Sequence, residues 1–572
     1  MRANDILFFN VHRKYLDTEI NYGGFRGIFL LSAFLNANGY SAQAFAGTLT
    51  QGKNLIDKAC LENKVSAIGL YCDFENVTEN IFLSRYIKET YDLPVLIGGP
   101  QATALDEKFF RESKCDAVVR YEGELTMLEL MNYFLEDVGS LEKILGIEYF
   151  SQGEIVKNHE RPLIQNLDAL PFVDENCYID SNQYWQDLSL MTGRGCPFRC
   201  SFCHEGAHTR QVRFRSVENV LAEIDQYLEK WNSARPIYIL FTDDTFTLSP
   251  SRLKKICEGL AERRKKYDFH FFCEGHIHTL YQYPEMIDDL AAAGCVRIQL
   301  GIESGNQKVI DAFGKHLKIE ETIEVVRKCR DAGIWQIYGN IILAAAFFDR
   351  DAYDRDKKFA MDLLTLGRGN LELGVVTFWP LAETKITNNP ADFGIEITDR
   401  EFLTAVGDFP QTRTRDLDTF DIAEMERDLE KDLLEHMRKM IEQDEIPFET
   451  IMHWFKFKRT IWLAQLEQMP RLYTYYHLLF LREGYRSNEV DIESAKPMRV
   501  SALFRHMKKL SEDEIEVFDF KMRGIEREIF LLCTGKLSTL EILNRFSNLS
   551  LDDLKKFLHR IESNRLIIYQ KY

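Results

Sequence analysis

At 572 residues, 45% of them hydrophobic and 28% charged, the chain exceeds a single ordinary core, and we expect roughly three or four domains. The net charge of −18 argues against a nucleic-acid partner, because such partners are held by an excess of Lys and Arg. No apolar run reaches the roughly 20 residues that span a bilayer, and the N-terminus lacks a secretory signal pattern, so we expect a cytoplasmic protein without a membrane partner.

Residues 1–140 alternate short apolar runs with stretches that are long enough for helices. The runs are ILFF (6–9), AQAF (42–45), VSAIGLY (65–71), VLIGG (95–99) and CDAVV (115–119). Apolar strands alternating with helices are typical of a parallel sheet covered on both faces. We therefore predict a doubly wound, Rossmann-like α/β domain, whose ligand would lie beyond the carboxyl ends of the strands. The segments GGPQAT (98–103) and RYEGE (120–124) fall at two such ends.

Residues 141–187 show weak periodicity and include Pro171, which ends any helix there. We predict a linker for this segment.

Residues 188–385 hold a second series of strands and helices. The predicted strands are LSLMTG (188–193), PIYILFT (236–242), FHFFCEG (269–275), VRIQLGIE (296–303), IYGNIILA (337–344) and LGVVTFW (373–379). Ser216 is a predicted N-cap, and the apolar residues after it recur with helical spacing. Six such units predict a partial (βα)6 barrel of the TIM type, with its chemistry at the carboxyl ends of the strands.

Residues 386–572 are predicted to be mainly helical. Residues 452–485 mix aromatic with basic side chains, and we favour packed helices there over a helix on a membrane surface. Two segments with capping-box spacing precede the strand-like RLIIY (565–569). This order predicts a winged-helix-like module over about residues 512–572.

Three of the twelve cysteines lie on the loop GRGCPFRCSFCHEG (193–206): Cys196, Cys200 and Cys203. The others are scattered, which is not a disulfide framework, whereas three thiolates on a glycine-containing loop predict a metal site. A structural zinc with His204 or His208 as the fourth ligand is one alternative, and three unrelated buried thiols are another. We favour an iron–sulfur cluster, in which three cysteines leave one iron open for chemistry.

With this loop at the end of the first barrel strand, the sequence resembles the radical S-adenosylmethionine (SAM) superfamily. Its members carry CxxxCxxC after the first strand of a partial barrel, with an aromatic residue, here Phe202, before the third cysteine. The resemblance implies one 4Fe-4S cluster on the three cysteines and SAM on its open iron. It also implies cleavage of SAM to a 5′-deoxyadenosyl radical, with electrons from a donor such as flavodoxin or ferredoxin.

Two further segments, FTDDTF (241–246) and QLGIESGNQKVI (299–310), resemble parts of that superfamily near SAM. Their candidate residues are Asp243, Asp244, Glu303 and Ser304. Helix caps or salt-bridge partners are the alternative roles; we favour the SAM role for Glu303 and leave the two aspartates open. IILAAAFFDRD (341–351) stands where many members have a glycine-rich turn.

A doubly wound domain ahead of such a barrel resembles the cobalamin-binding subgroup, and the resemblance then covers about residues 1–385. The segments after the fourth and fifth strands surround the nucleotide tail of cobalamin in that subgroup. Their candidate contacts are Gly98, Gly99, Pro100, Gln101, Glu122, Gly123 and Glu124. No Asp-x-His-x-x-Gly motif is present, so we expect no histidine on the lower face of cobalt. Candidate neighbours of that face are Tyr71, Cys72 and Asn76, although a half-buried strand end explains them almost as well.

The resemblance implies a cobalamin-dependent radical SAM enzyme, and we predict a C-methyltransferase acting on an unactivated carbon of a natural product or peptide. Oxidation, cyclisation or rearrangement without methyl transfer is the alternative within the subgroup. A zinc-stabilised, cobalamin-like binding protein is the alternative of another class. Hydrogen abstraction needs no general base, so we assign no residue as a catalytic acid or base. The C-terminal module either binds the leader of a peptide substrate or caps the active site.

Overall fold

The computed structural model describes residues 3–12, 27–102, 107–185, 188–204, 211–231, 236–398, 409–482 and 484–570. Two compact units contain residues 1–367 with 373–432, and residues 368–372 with 433–572. No helix within the described ranges is both long enough and apolar enough to cross a membrane.

Seven strands form the first sheet of the first unit, in the order β2-β1-β3-β4-β5-β6-β7. Their bounds are β1 Asn4–His12, β2 Ala42–Thr48, β3 Val65–Tyr71, β4 Val95–Gly98, β5 Ala117–Val119, β6 Ile147–Ser151 and β7 Glu154–Lys157. Strands β1 to β5 pair in parallel, with Ile6 beside Ala42 on one side and Ala67 on the other. The accompanying helices are α1 Gly27–Ala37, α2 Leu49–Leu61, α3 Val77–Tyr91, α4 Glu107–Ser113 and α5 Glu124–Glu136.

Both faces of this sheet are buried. Along β1, Ile6 and Phe8 pack into one apolar cluster, while Leu7 and Phe9 pack into another. Successive side chains of a strand point to opposite faces, so an unbroken apolar run needs cover on both sides. The predicted doubly wound fold is confirmed.

The sequence predicts a linker over 141–187, but residues 147–157 belong to the first sheet. Strand β6 runs antiparallel to β5, and β7 runs antiparallel to β6. Gln152 and Gly153, with φ of 50° and 93°, form the two-residue turn between β6 and β7. Such a turn matches the twist of a hairpin, and Gly is a preferred residue in it. Short helical turns follow in the described residues up to 185: Leu167–Ala169, Glu175–Cys177 and α6 Ser181–Tyr184.

A second sheet of six strands has the order β15-β14-β13-β12-β11-β8. Its bounds are β8 Leu188–Leu190, β11 Ile237–Phe241, β12 Phe269–Gly275, β13 Cys295–Leu300, β14 Gln336–Leu343 and β15 Leu371–Thr377. Strands β8 and β11 to β14 pair in parallel. A short antiparallel pair, β9 Gly193–Arg194 with β10 Arg213–Phe214, stands beyond the end of β8.

Helices follow the strands of this sheet as the predicted partial barrel requires. They are α7 Val217–Lys230, α8 Pro250–Arg264, α9 Ile277–Gln282, α10 Glu285–Ala293, α11 Gln307–Phe313, α12 Ile319–Asp331 and α13 Arg350–Gly367. Ser216 caps α7 by accepting a hydrogen bond from the N–H of Asn219 at 3.1 Å. The remaining elements before the second unit are α14 Lys385–Asn388, a helical turn at Pro390–Phe393, β16 Ile395–Ile397, β17 Thr412–Thr414 and α15 Thr419–Glu442, which runs into it.

The second unit begins with packed helices: α16 Phe448–Phe457, α17 Ile461–Glu467 and α18 Pro470–Arg482. Trp454 and Trp462 are buried, and their indole N–H groups donate to the carbonyls of Gly369 at 3.1 Å and Leu371 at 2.9 Å. These aromatic side chains are therefore core residues.

The C-terminal part of this unit combines small sheets with three helices. The strands are β18 Lys496–Arg499, β19 Met507–Lys509, β20 Glu514–Val517, β21 Phe520–Arg523 and β22 Ile567–Gln570. The helices are α19 Ile525–Leu532, α20 Thr539–Leu543 and α21 Leu551–Ser563, with helical turns at Ser487–Glu489 and Ser501–His506. Strands β19 to β21 form an antiparallel sheet, and β22 pairs with β18.

Candidate functional site

The cysteine loop is tied to the barrel at several points. The N–H and hydroxyl of Ser201 donate to the last carbonyls of α11, at Phe313 and Ala312, both at 2.9 Å. The Gly195 N–H donates to Asp244 Oδ2 at 3.1 Å, and Phe198 stacks on His276 with ring centroids 3.7 Å apart. Because carbonyls at a helix end lack helical partners, α11 provides a fixed anchor for this loop.

The three cysteines are half-buried on this loop. The Sγ atom of Cys196 lies 3.8 Å from the hydroxyl of Thr245, and the Cys203 N–H donates to the Cys200 carbonyl at 3.1 Å. Across the described ranges, no group of three or more His, Cys, Asp or Glu side chains is placed to hold a single metal ion. His208 lies outside the described residues.

The carboxylate of Asp243 orders the end of the first barrel strand. It accepts from the N–H and the hydroxyl of Thr192, at 3.0 and 2.8 Å, and it is buried. Burial raises the pKa of Asp243 to about 6. Asp244 instead lines a cavity. The neighbouring aspartates therefore have different surroundings.

Glu274, at the end of β12, is an acid that the sequence interpretation missed. Burial, followed by the charges of Asp244, Asp243 and Glu303, raises its pKa to about 7, against an opposing effect of Arg297. In the sequence it lies inside the apolar run FHFFCEG, which indicates only a core strand. Acidic groups thus collect at the ends of β11, β12 and β13, where a cationic ligand would be attracted.

The segment after β13 is held from two sides. The Ser304 hydroxyl and the Gly305 N–H donate to Asp356 of α13, at 2.7 and 2.6 Å. Glu303 has a φ of 62°, and its Oε1 accepts from Lys315 Nζ at 2.7 Å. Ser304 is buried, so its hydroxyl holds the turn. No sequence pattern pointed to Lys315 or Asp356, because both act across the fold.

Phe202 packs in an apolar cluster below the loop, with its ring centroid 4.7 Å from that of Phe313. Ala345 and Ala346 belong to the same cluster. Next to them, Ala344 and Phe347 have positive φ angles of 58° and 46°. The backbone therefore keeps a left-handed shape here without glycine, which is uncommon and strained.

A cavity of about 350 Å³ lies in the first unit, beyond the strand ends of the first sheet and against the cysteine loop. From the first sheet it is lined by Tyr71, Gly98, Gly99, Pro100, Tyr121, Glu122, Gly123 and Glu124. From the barrel it is lined by Gly193, Arg194, Gly195, His204, Arg213 and Asp244. Both predicted glycine segments therefore reach the same cavity.

Close backbone approach at Gly99 shapes this cavity. Gly99 has a φ of 114°, and a Cβ atom there would lie 2.5 Å from the Cys72 carbonyl oxygen. The Gln101 N–H donates to the same oxygen at 3.2 Å. Cys72 and Gln101 are buried and do not line the cavity. Glycine is needed here because other side chains rarely adopt such an angle.

Asn76 organises the loop after β3. Its side-chain amide donates to the carbonyls of Tyr71 and Val11, both at 3.1 Å, and to Asn10 Oδ1 at 3.2 Å. Asn76 is fully buried, and the cavity is lined by Tyr71 instead.

Glu122 and Glu124 pair with arginines of the β9–β10 hairpin. Glu122 Oε1 lies 3.1 Å from Arg194 Nη1 and 2.7 Å from Arg213 Nη1. Arg194 also pairs with Glu124. Burial lowers the pKa of Arg194, but the charges of both glutamates outweigh it and raise that pKa overall. These contacts connect the first sheet to the strand that precedes Cys196.

Comparison with known proteins identifies the barrel. Residues 190–351 match the Radical SAM superfamily. An uncharacterised methyltransferase of Pyrococcus horikoshii is 30% identical over 295 residues, which are 50% of this chain and 60% of that protein. The anaerobic magnesium-protoporphyrin IX monomethyl ester cyclase of Cereibacter sphaeroides is 25% identical over 248 residues, 42% of this chain and 40% of that protein. The chain thus spans less than two thirds of the length of either relative.

The fold is also similar to that of OxsB, a cobalamin-dependent SAM radical enzyme solved with aqua-cobalamin and SAM. The TM-score is 0.60 at 17% identity, over 84% of this chain and 72% of that one. Residues 190–351 therefore match a radical SAM domain, and the fold of the chain is similar to that of OxsB.

Proposed function

We propose that this chain is a cobalamin-dependent radical SAM enzyme that methylates an unactivated carbon of a natural-product or peptide substrate. The observation that carries the proposal is the shared cavity, whose walls come from the glycine segments of the first sheet and from the cysteine loop. A cobalamin held by the first sheet would therefore face a cluster held by the loop. The two cofactors need this proximity to act on one substrate carbon.

The residues of the first sheet fit a cobalamin tail. Part of the cavity lining is apolar, with Phe8, Leu30, Leu96 and Val119, and a volume of about 350 Å³ suits a nucleotide tail rather than the whole cofactor. At the rim, the Gly99 backbone packs so closely on Cys72 that no side chain fits between them. An apolar cavity lined in part by glycines suits a flat, uncharged base.

The residues of the barrel fit a three-cysteine cluster with SAM beside it. The thiols share one anchored loop, and Asp244, Glu274 and Glu303 lie at the neighbouring strand ends. SAM carries a sulfonium and an ammonium group, so acidic groups favour it electrostatically. Lys315 beside Glu303 supplies a positive charge for a carboxylate.

When bound, the cluster, SAM and cobalamin supply a carbon-centred radical and a methyl group. The chain's own side chains bind, orient and exclude water. Phe198 on His276 and Phe202 on Phe313 pack around the loop, which limits the access of solvent. Burial lowers the pKa of His276 to about 3, so this ring stays neutral beside the loop.

Methyl transfer can be tested with SAM that carries a deuterated methyl group. Reconstituted protein, cobalamin, a reductant and an extract of the source organism would be incubated together, and products examined by mass spectrometry. We expect a product that gains one labelled methyl group and one equivalent of 5′-deoxyadenosine for each product formed. A new product without the label would favour the second candidate, oxidation, cyclisation or rearrangement. The cyclase relative supports that candidate.

The same experiment shows whether the substrate is a small molecule or a peptide. One observation favours a peptide: β21 is the last strand of the β19–β20–β21 sheet, and an extended peptide can add to such an edge. Label in a peptide fraction would support a leader-binding role for the module at 512–572. Label in a small molecule alone would contradict it.

A further inference from the structure

Four buried charges join the two walls of the cavity. Glu122 and Glu124 follow β5. Arg194 lies on β9 and Arg213 lies opposite it on β10, next to the cysteine loop. Their side chains are between 4% and 14% exposed. Carboxylates so placed would repel each other and lose their hydration without the arginines, so the pairs hold the segment in place.

Arg194 connects the two walls most directly. It pairs with both glutamates, while its own backbone belongs to β9, two residues before Cys196. Glu122 is further fixed, because its Oε2 accepts from the Ile164 N–H at 2.8 Å. Tyr121, with a φ of 60°, and Gly123 stand on either side of Glu122, and both line the cavity.

The pairing leaves Glu122 and Glu124 with their charges neutralised by protein groups. A cobalamin tail carries no positive charge that could replace Arg194 or Arg213 beside the glutamates. Breaking these ion pairs to form a contact with the cofactor would therefore cost free energy. Tyr121, Glu122, Gly123 and Glu124 all line the cavity, and the ion pairs of the two carboxylates hold this segment in place.

Resting on the proposed function, we infer that Arg194 is a positioning residue for cobalamin: from the cluster loop, it fixes the cobalamin-binding segment 121–124 through Glu122 and Glu124. Direct contact of the two carboxylates with the cofactor is the opposing interpretation. The two interpretations differ in the expected effect of replacing Arg194: only the positioning role predicts that this change weakens cobalamin binding.

The test is the affinity of the cluster-loaded protein for hydroxocobalamin. Arg194→Met, Glu124→Gln and the double variant would be compared with the unchanged protein by equilibrium binding. We expect each single variant to weaken binding about 10-fold or more, and the double variant to weaken it by clearly less than the product of the two. Iron content and SAM binding should be kept by Arg194→Met, because Ser201 and Gly195 still anchor the loop.

Arg161→Met is the matched control. Arg161 pairs with Glu129, which lies on α5 as Glu124 does, and it donates a hydrogen bond to the Thr126 hydroxyl. Arg161 does not line the cavity. We expect it to leave hydroxocobalamin affinity within about twofold of that of the unchanged protein. If Arg194→Met does not fold, Arg194→Lys retains the charge without the forked contact and should show an intermediate loss.

Two results would overturn the inference. One is normal hydroxocobalamin affinity in Arg194→Met with weakened affinity in Glu124→Gln, which direct contact predicts. The other is full multiplicativity of the two single effects. Failure of the proposed function looks different, since the unchanged protein would then bind no hydroxocobalamin at all.

Discussion

Gly99 is a residue of the cavity lining at which the neighbouring backbone leaves no room for a side chain. Gly99→Ala would place Cβ at 2.5 Å from the Cys72 carbonyl oxygen and would force a side chain into a φ of 114°. We expect a loss of about 2–4 kcal/mol in the free energy of unfolding, measured by chemical denaturation. Gly98→Ala is the control, because its Cβ would meet Val119 at no less than 3.5 Å. Equal stabilities of the two variants would contradict this account of the wall.

Glu274 predicts a pH effect at the strand ends of the barrel. Its pKa rises from 4.5 to about 7, so the folded protein holds this proton more tightly than the unfolded chain does. Its contribution to stability is then present below about pH 4.5 and is lost as pH rises through 7. We expect the unfolding free energy of the SAM-free protein, relative to Glu274→Gln, to fall by about 1–3 kcal/mol between pH 5 and 8. The same difference at both pH values would contradict the assignment.

Several candidate residues could be placed from the sequence, but not their hydrogen bonds. The predicted strand ends place Asn76, Asp243 and Ser304 after the strands that they follow in the structure, β3, β11 and β13. What each side chain bonds depends on residues far away, namely Val11, Thr192 and Asp356. Whether a polar side chain faces a ligand or its own backbone is decided by this packing, which spacing does not contain.

At the scale of elements, helix α13 holds the segment after β13. Asp356→Ala would leave the buried Ser304 hydroxyl and the half-buried Gly305 N–H without their acceptor. We expect about 2–4 kcal/mol lower stability, and weaker SAM binding because Glu303 lies next to this turn. Asp356→Asn keeps an acceptor oxygen and should lose less of both. SAM affinity would be measured by calorimetry. A normal affinity in the Ala variant would show that α13 does not support SAM binding.

The barrel strands could be predicted closely because buried parallel strands are short runs rich in apolar residues. FHFFCEG, for example, is β12 from Phe269 to Gly275. The β6–β7 hairpin was missed because its strands, IEYFS and EIVK, are short and mix polar with apolar residues at the edge of the sheet. The signal that could have found it is Gln152-Gly153, a turn pair flanked by β-favouring residues.

At the scale of the whole molecule, the order of the domains carried more information than any single motif. The cysteine loop indicates a cluster, and the glycine segments before it indicate a second ligand. The fold brings both to one cavity within the first unit. The sequence could not predict the four charges that connect them, because Glu122 and Arg194 are 72 positions apart in a chain without a pattern that links them.

The central claim is that this chain cleaves SAM by radical chemistry next to cobalamin. The most direct measurement is 5′-deoxyadenosine formation by anaerobically reconstituted protein with SAM and a reductant, compared with Cys200→Ala. Cys533→Ala is the control, because this buried thiol belongs to the second unit.

We expect about four iron atoms per chain and 5′-deoxyadenosine from the unchanged protein and from Cys533→Ala. Cys200→Ala should form none and still bind hydroxocobalamin. Bound zinc in place of iron, with no 5′-deoxyadenosine from any of the three proteins, would contradict the account.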